Sequence, residues 1–146
     1  PWASLGADIM VGFPGESEPD FEKTYHFLEK SPLTYFHVFS YSSRPGTAAS
    51  AWPQIPNRVK TERSVLLRKL SKDKNKIFRS LFIGKECNAI VIKKETKSTQ
   101  VLTPNYINVS LPSCPSKEKE EVKIRITKVM NKKTHGQILF KEQKLY

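Results

Sequence analysis

The run Asp8-Ile-Met-Val-Gly-Phe13 is apolar and is stopped by Pro14-Gly15, a pattern that predicts a buried strand ending in a turn. Ser17-Glu-Pro-Asp20 follows with the chemistry of a helix start. Ser17 can cap, Pro19 falls in the first turn where its missing N–H costs nothing, and Asp20 takes the capping-box position. Phe21, Tyr25 and Leu28 recur at helical spacing until Ser31-Pro32 ends the helix. Tyr35–Tyr41 is a second, aromatic-rich strand. Strand–helix–strand is the unit of parallel sheets with right-handed crossovers. Two such strands leave open edges, so a longer chain or a partner is expected to cover them.

From Asn57 to about Leu81 the chain predicts one long amphipathic helix. Val59, Leu66, Leu70, Ile77 and Leu81 form its apolar seam. Arg58, Lys60, Arg63, Arg68, Lys69, Lys72, Lys74, Lys76 and Arg79 are expected on the solvated faces. After Gly84 the period becomes two. Strands are expected at Glu86–Lys94, Ser98–Leu102, Tyr106–Leu111, Val122–Met130 and Gly136–Phe140, separated by turn-forming stretches. Five short strands rimmed with lysine predict a small barrel of the oligonucleotide-binding type. The fold class is therefore α/β plus β.

Charge sharpens this division. Residues 1–56 carry three basic and six acidic side chains, a net of −3, whereas residues 57–146 carry 22 basic and eight acidic, a net of +14. The break lies in the Pro-rich stretch Ala51-Trp-Pro-Gln-Ile-Pro-Asn57. A field of that size favours a polyanionic partner, although many basic domains owe their charge to solubility alone. No apolar run approaches the roughly 20 residues of a bilayer span. No charged-then-apolar leader is present, and two cysteines, Cys87 and Cys114, are too few for a disulfide framework. The expected setting is cytoplasmic, without membrane contact.

Candidate chemistry gathers at two strand ends. Gly6–Glu16 places glycines about the end of the first strand, where α/β proteins bind ligands, but a Gly-Pro turn is also simply a turn. Glu16 could bond a ligand hydroxyl, with capping or solvation as the plainer alternative. Tyr41-Ser-Ser-Arg44-Pro-Gly-Thr47 holds an arginine whose planar fork suits a carboxylate or phosphate, against the alternative of an exposed loop. His26, His37 and His135 show no ligand or triad spacing, and no residue is assigned a catalytic or metal-binding role. In the basic half, Lys93, Lys94 and Lys97 flank the first hairpin, and Arg125, Lys128, Lys132 and Lys133 follow the fourth strand. Asn105 and Tyr106 sit where a ring could stack on a base, or be half-buried core.

DIMVGFPGESEPDF (Asp8–Phe21), HVFSYSSRPGTAA (His37–Ala49), a basic helix introduced by proline and a small barrel resemble, in that order, the radical-SAM tRNA methylthiotransferases. The spelling of His37–Ala49 and of Thr103-Pro-Asn-Tyr-Ile-Asn-Val109 is most similar to the branch acting on N6-threonylcarbamoyladenosine. The resemblance implies that residues 1–52 are the C-terminal part of a radical-SAM (β/α) barrel, 53–81 a linker and basic helix, and 82–146 a TRAM RNA-binding domain. It places Ile9, Val11, Gly12, Glu16, His37, Phe39, Tyr41 and Arg44 beside S-adenosylmethionine. It also implies tRNA, through the anticodon stem-loop, as partner in preference to DNA, with sulfur and electron donors serving the parent enzyme. Such enzymes hold two 4Fe-4S clusters on cysteine triplets, whose thiolates have no counterpart here. The chain is therefore expected to be a C-terminal portion that is catalytically silent alone. The alternative is a stand-alone TRAM-type RNA-binding protein.

Overall fold

The computed structural model describes residues 2–139, which form two compact units, one of residues 4–75 and one of residues 2–3 with 76–139. The first, the front unit, contains β1 (Gly6–Val11), α1 (Glu18–Lys30), β2 (Tyr35–Ser40), a 3-10 turn at Ala48–Ala51 and most of α2 (Asn57–Ser80). The second, the barrel unit, contains the last residues of α2, then β3 (Glu86–Lys94), β4 (Ser98–Leu102), β5 (Asn108–Pro112), β6 (Glu121–Val129) and β7 (Thr134–Ile138). Among the described residues no helix is long and apolar enough to cross a membrane.

In the front unit β1 and β2 pair in parallel from Gly6↔Tyr35 to Val11↔Ser40. α1 begins as its sequence predicts. Ser17 is the N-cap, its hydroxyl accepts from the Asp20 N–H at 3.3 Å, and Asp20 completes the capping box. Phe21 and Leu28 bury themselves with Val11, Phe36 and Val38, and α2 adds Leu67 and Leu70. β1 is not buried on both faces. Ala7, Ile9 and Val11 pack inward, while Asp8 and Met10 stay exposed opposite His37 and Phe39.

The predicted seam of α2 is rotated from the observed one. Leu66 and Ile77 are exposed, as is Leu81 beyond the helix, and the buried stripe of the front unit is Arg63, Ser64, Leu67, Leu70 and Ser71. Polar residues take the buried positions because β2 offers them partners. The Ser71 hydroxyl donates to the Phe36 carbonyl at 2.8 Å and accepts the Phe36 N–H at 2.9 Å. Ser64 bonds Ser40 at 2.9 Å, and Lys60 donates to the Tyr41 carbonyl at 3.3 Å. α2 thus covers the free edge of β2 with its own side chains, a role expected of a partner or a longer chain. Arg63 and Arg79, expected in solvent, are both buried.

The barrel closes in the order β3-β4-β5-β7-β6, with antiparallel pairs throughout except the parallel contact of β5 with β7 at Ser110↔His135. Alternation fills it: Ala89, Val91, Val101, Val109, Leu111, Val122, Ile124 and Ile126 point inward with Phe78 and Ile107. Register shifts at Val91/Lys93 and Ile126/Lys128 bend β3 and β6. Gly136 permits the closure, since a Cβ there would lie 2.8 Å from the Arg125 carbonyl oxygen and 2.9 Å from Val109. Buried Arg79 donates to the Thr134 hydroxyl and the Asn131 carbonyl, each at 3.0 Å, and burial lowers its pKa. The third barrel strand starts at Asn108, which leaves Tyr106 in the preceding turn, and β7 ends at Ile138. Phe140, expected at the end of the last strand, lies outside the described residues.

Candidate nucleic-acid interface and strand-end site

The end of β1 is held by an internal ion pair. The Gly12 N–H donates to Glu16 Oε2 at 2.6 Å, and Arg63 Nη1 donates to the same oxygen at 2.7 Å and to the Glu16 carbonyl at 3.0 Å. Arg63 Nη2 reaches Glu18 at 2.8 Å, and the guanidinium lies over the Phe21 ring at 5.2 Å. Burial works against the Arg63 charge, but the bonds from Glu18 and Glu16 outweigh it and raise the pKa. Glu16 is therefore neither a cap nor solvated: its side chain is 14% exposed and committed. Gly12 adopts φ +73°, and a Cβ there would fall 2.2 Å from Lys60 Cγ, so glycine is required twice over.

The sequence-predicted cofactor set divides between two faces. Val11 is fully buried and Ile9 packs on the same core, so both side chains face α1 and α2 rather than an open site. His37 and Phe39 lie on the exposed face, and the strand register adds Asp8 and Met10 beside them. Those two neighbours follow from period-two alternation once the register is known. At the rim Phe13 makes edge-to-face contacts with Tyr41 at 5.2 Å and Trp52 at 5.9 Å. Arg44 is exposed, and among the described residues its guanidinium makes no hydrogen bond or ion pair.

The predicted RNA-contacting residues fall at two ends of the barrel. The strand directions set the β3–β4 hairpin, with Lys93, Lys94 and Lys97, at one end and the β6–β7 turn, with Lys132 and Lys133, at the other. Ser98 pairs with Pro112 and Ser110 with His135, and the Lys133 charge acts on Glu95. Lys93 reaches Glu95 at 3.1 Å, and a bond from Ser98, then Lys93, holds the Glu95 carboxyl below its usual range. Lys94, Lys97, Lys128, Lys132 and Lys133 are exposed. Arg125 is shared with Glu86, which also takes Lys123 at 2.9 Å; Lys123, then Arg125, lowers the Glu86 pKa.

Asn105 and Tyr106 occupy the β4–β5 turn, at the same end as the β6–β7 turn and opposite to the β3–β4 hairpin. The Thr103 hydroxyl donates to Asn105 Oδ1 at 2.6 Å and accepts the Ile107 N–H at 3.0 Å, while the Tyr106 N–H donates to the Thr103 carbonyl at 2.9 Å. Tyr106 is held at φ +61° with its ring 79% exposed. The structure thus makes it a presented ring and not half-buried core.

No protein-family model matches the chain. It is similar to the threonylcarbamoyladenosine tRNA methylthiotransferase MtaB of Aquifex aeolicus, 44% identical over 110 residues that cover 75% of this chain and 26% of that protein. It is similar to a tRNA-2-methylthio-N(6)-dimethylallyladenosine synthase of Ehrlichia canis, 36% identical over 77% of this chain and 27% of that protein. A probable threonylcarbamoyladenosine tRNA methylthiotransferase of Pyrococcus horikoshii is 32% identical over 86% of this chain and 30% of its own length. The chain, with a closed five-stranded barrel, a parallel strand–helix–strand unit and these relatives, belongs to the tRNA methylthiotransferase family. Within it the MtaB proteins of Aquifex aeolicus and Thermotoga maritima stand at 44% and 42% identity, and the chain spans about a quarter of the length of the curated relatives it matches.

Proposed function

We propose that the barrel unit is a TRAM domain that holds tRNA for a methylthiotransferase, and that the front unit is the last part of that enzyme's radical-SAM barrel. The whole enzyme would add a methylthio group at C2 of N6-threonylcarbamoyladenosine beside the anticodon. The observation that carries this reading is the set of exposed lysines on the β3–β4 hairpin and the β6–β7 turn of a closed five-stranded barrel, within the half of the chain bearing +14. Phosphate contacts of this kind position an RNA without reading its sequence.

The exposed strand face suits the adenosyl part of S-adenosylmethionine. Met10, Phe39 and the Phe13–Tyr41 pair offer apolar and aromatic surface for a flat ring, and Arg44 is free to fork a carboxylate. When bound, that cofactor supplies a methyl group and a carbon-centred radical. Ile9, Val11 and the Glu16–Arg63 pair act behind this face, fixing the backbone at the end of β1. The residues present do not fit an iron–sulfur cluster. Cys114 is buried, burial raises the Cys87 pKa, and no group of three potential ligands occurs among the described residues.

Binding of the full chain to tRNA across a salt series tests the proposal. Neutralising about five phosphates gives a log–log slope of roughly −4. Duplex DNA of similar length should bind more weakly, and equal affinity would overturn the RNA assignment. Supplied with iron, sulfide, reductant and S-adenosylmethionine, the chain alone should form no 5′-deoxyadenosine. A second reading, RNA binding without catalysis, draws on the absence of cluster-spaced cysteines from this sequence. Detection of a cluster-bearing segment in the same polypeptide would exclude it.

A further inference from the structure

Beside the β4–β5 turn the barrel carries a shallow pocket of about 290 Å³, lined by Asn88, Ile90, Leu102, Pro104, Tyr106 and Glu121 among others. Its floor is a row across three strands: Glu121 of β6 is in register with Ile90 of β3, which is in register with Leu102 of β4. Side chains in register share a face. Ile90 is 52% exposed and gives the row an apolar centre. The Tyr106 ring stands beside this row, presented by a turn whose hydrogen bonds hold a left-handed backbone. Such a conformation is unfavourable for a non-glycine residue and persists where the surroundings over-determine it.

The polar groups of the pocket are uncommitted. Neither Asn88 nor Glu121 makes a side-chain hydrogen bond or ion pair among the described residues, although Glu86 and Glu95 on the same barrel are paired to cations. A free carboxylate on a surface built to meet phosphates is repulsive unless the ligand brings donors to it. Among the four RNA bases only guanine sets two donors, N1–H and the N2 amine, side by side on its Watson–Crick edge. Beside them it carries the O6 acceptor. Adenine and cytosine would aim a ring-nitrogen lone pair at the carboxylate, and uracil has one donor flanked by carbonyls.

We infer that this pocket binds an unpaired guanine, stacked on Tyr106 over Ile90 and Leu102, with Glu121 accepting from N1–H and N2–H and Asn88 donating to O6. The inference rests on the RNA-binding reading above and adds to it a base-specific subsite beside the β4–β5 turn, distinct from the phosphate-contacting lysines. An extruded base stacked on an aromatic ring and read on its Watson–Crick edge is the usual mode of sequence-specific RNA recognition.

The test uses the full chain and nine-residue oligouridylates whose central residue is guanosine, adenosine, cytidine or inosine. Guanosine should bind roughly 5- to 150-fold tighter than adenosine or cytidine. Inosine, which lacks the N2 amine, should fall between. Glu121→Gln should abolish that preference without weakening binding of plain oligouridylate. Tyr106→Ala should lower affinity for the guanosine oligomer by roughly 5- to 150-fold, and Tyr106→Phe should restore it. Equal affinity for guanosine and adenosine oligomers, or an undiminished preference in Glu121→Gln, would overturn the pocket while tRNA binding still stood. Loss of the RNA reading itself would show differently, as no binding of tRNA by the wild-type chain.

Discussion

Replacing Arg63 by alanine removes the group that binds α2 to the end of β1. Its guanidinium is 6% exposed and reaches Glu16 at 2.7 Å and Glu18 at 2.8 Å. The Glu18 bond contributes little, because that carboxylate is 64% exposed and water replaces the partner. Glu16 decides the cost. At 14% exposure it would keep only the Gly12 N–H, and stranding one member of a buried pair costs about 3–5 kcal/mol. Against this, Arg63 Nε is buried without an acceptor among the described residues, and its removal returns about 1–3 kcal/mol. The net expectation is a loss of about 2 kcal/mol in the front unit. With a urea dependence of about 2 kcal/mol per molar, the midpoint should fall by about 1 M. Trp52 fluorescence in a Trp2→Phe background reports this unit alone, since Trp2 belongs to the barrel unit. Adding Glu16→Gln to Arg63→Met should recover more than half of the loss, because no unpaired charge remains. A midpoint shift below about 0.2 M for Arg63→Ala would mean that the pair behaves as a surface contact, and would refute the reasoning.

Three further outcomes are expected. Gly136→Ala should cost the barrel unit about 2 kcal/mol or more, since the new methyl meets the Arg125 backbone oxygen, which cannot swing aside; thermal melting in the Trp52→Phe background, followed through Trp2, checks it. Ser71→Ala should cost about 1–3 kcal/mol by leaving the buried Phe36 N–H and carbonyl unpaired, and should speed exchange of the Phe36 amide. Glu86 has a folded pKa below its unfolded value, so its stabilising contribution is present above the unfolded pKa and is lost as pH falls through the folded one. Glu86→Gln should accordingly flatten the acid limb, lowering barrel stability at neutral pH while leaving it unchanged below the folded pKa; an unaltered acid limb would contradict the Lys123–Glu86–Arg125 geometry.

Local chemistry made much of this architecture legible. Ser17 and Asp20 specify a helix start because both capping bonds are made within four residues. The period-two runs from Glu86 onward specify a barrel because the inward positions are filled mainly by apolar side chains. The α2 stripe was legible only in part. Hydrophobic spacing selected Leu66 and Ile77, yet both are exposed, while Arg63, Ser64 and Ser71 are buried against partners far away in sequence. Apolar periodicity cannot anticipate a polar residue whose burial is compensated by a backbone edge or a carboxylate some 20–50 residues distant.

The sequence by itself determined the order of elements, the division of charge and the family, because these follow from short-range pattern and from motif spelling. Tertiary structure alone decided which residues share a surface. Parallel register set Asp8 and Met10 beside His37 and Phe39, and barrel closure let the Lys133 charge act on Glu95. Glu121, Ile90 and Leu102 form one row only because three strands separated along the chain align in register. Register is a property of pairs of strands, set by hydrogen-bond ladders and closure, so no single segment encodes it.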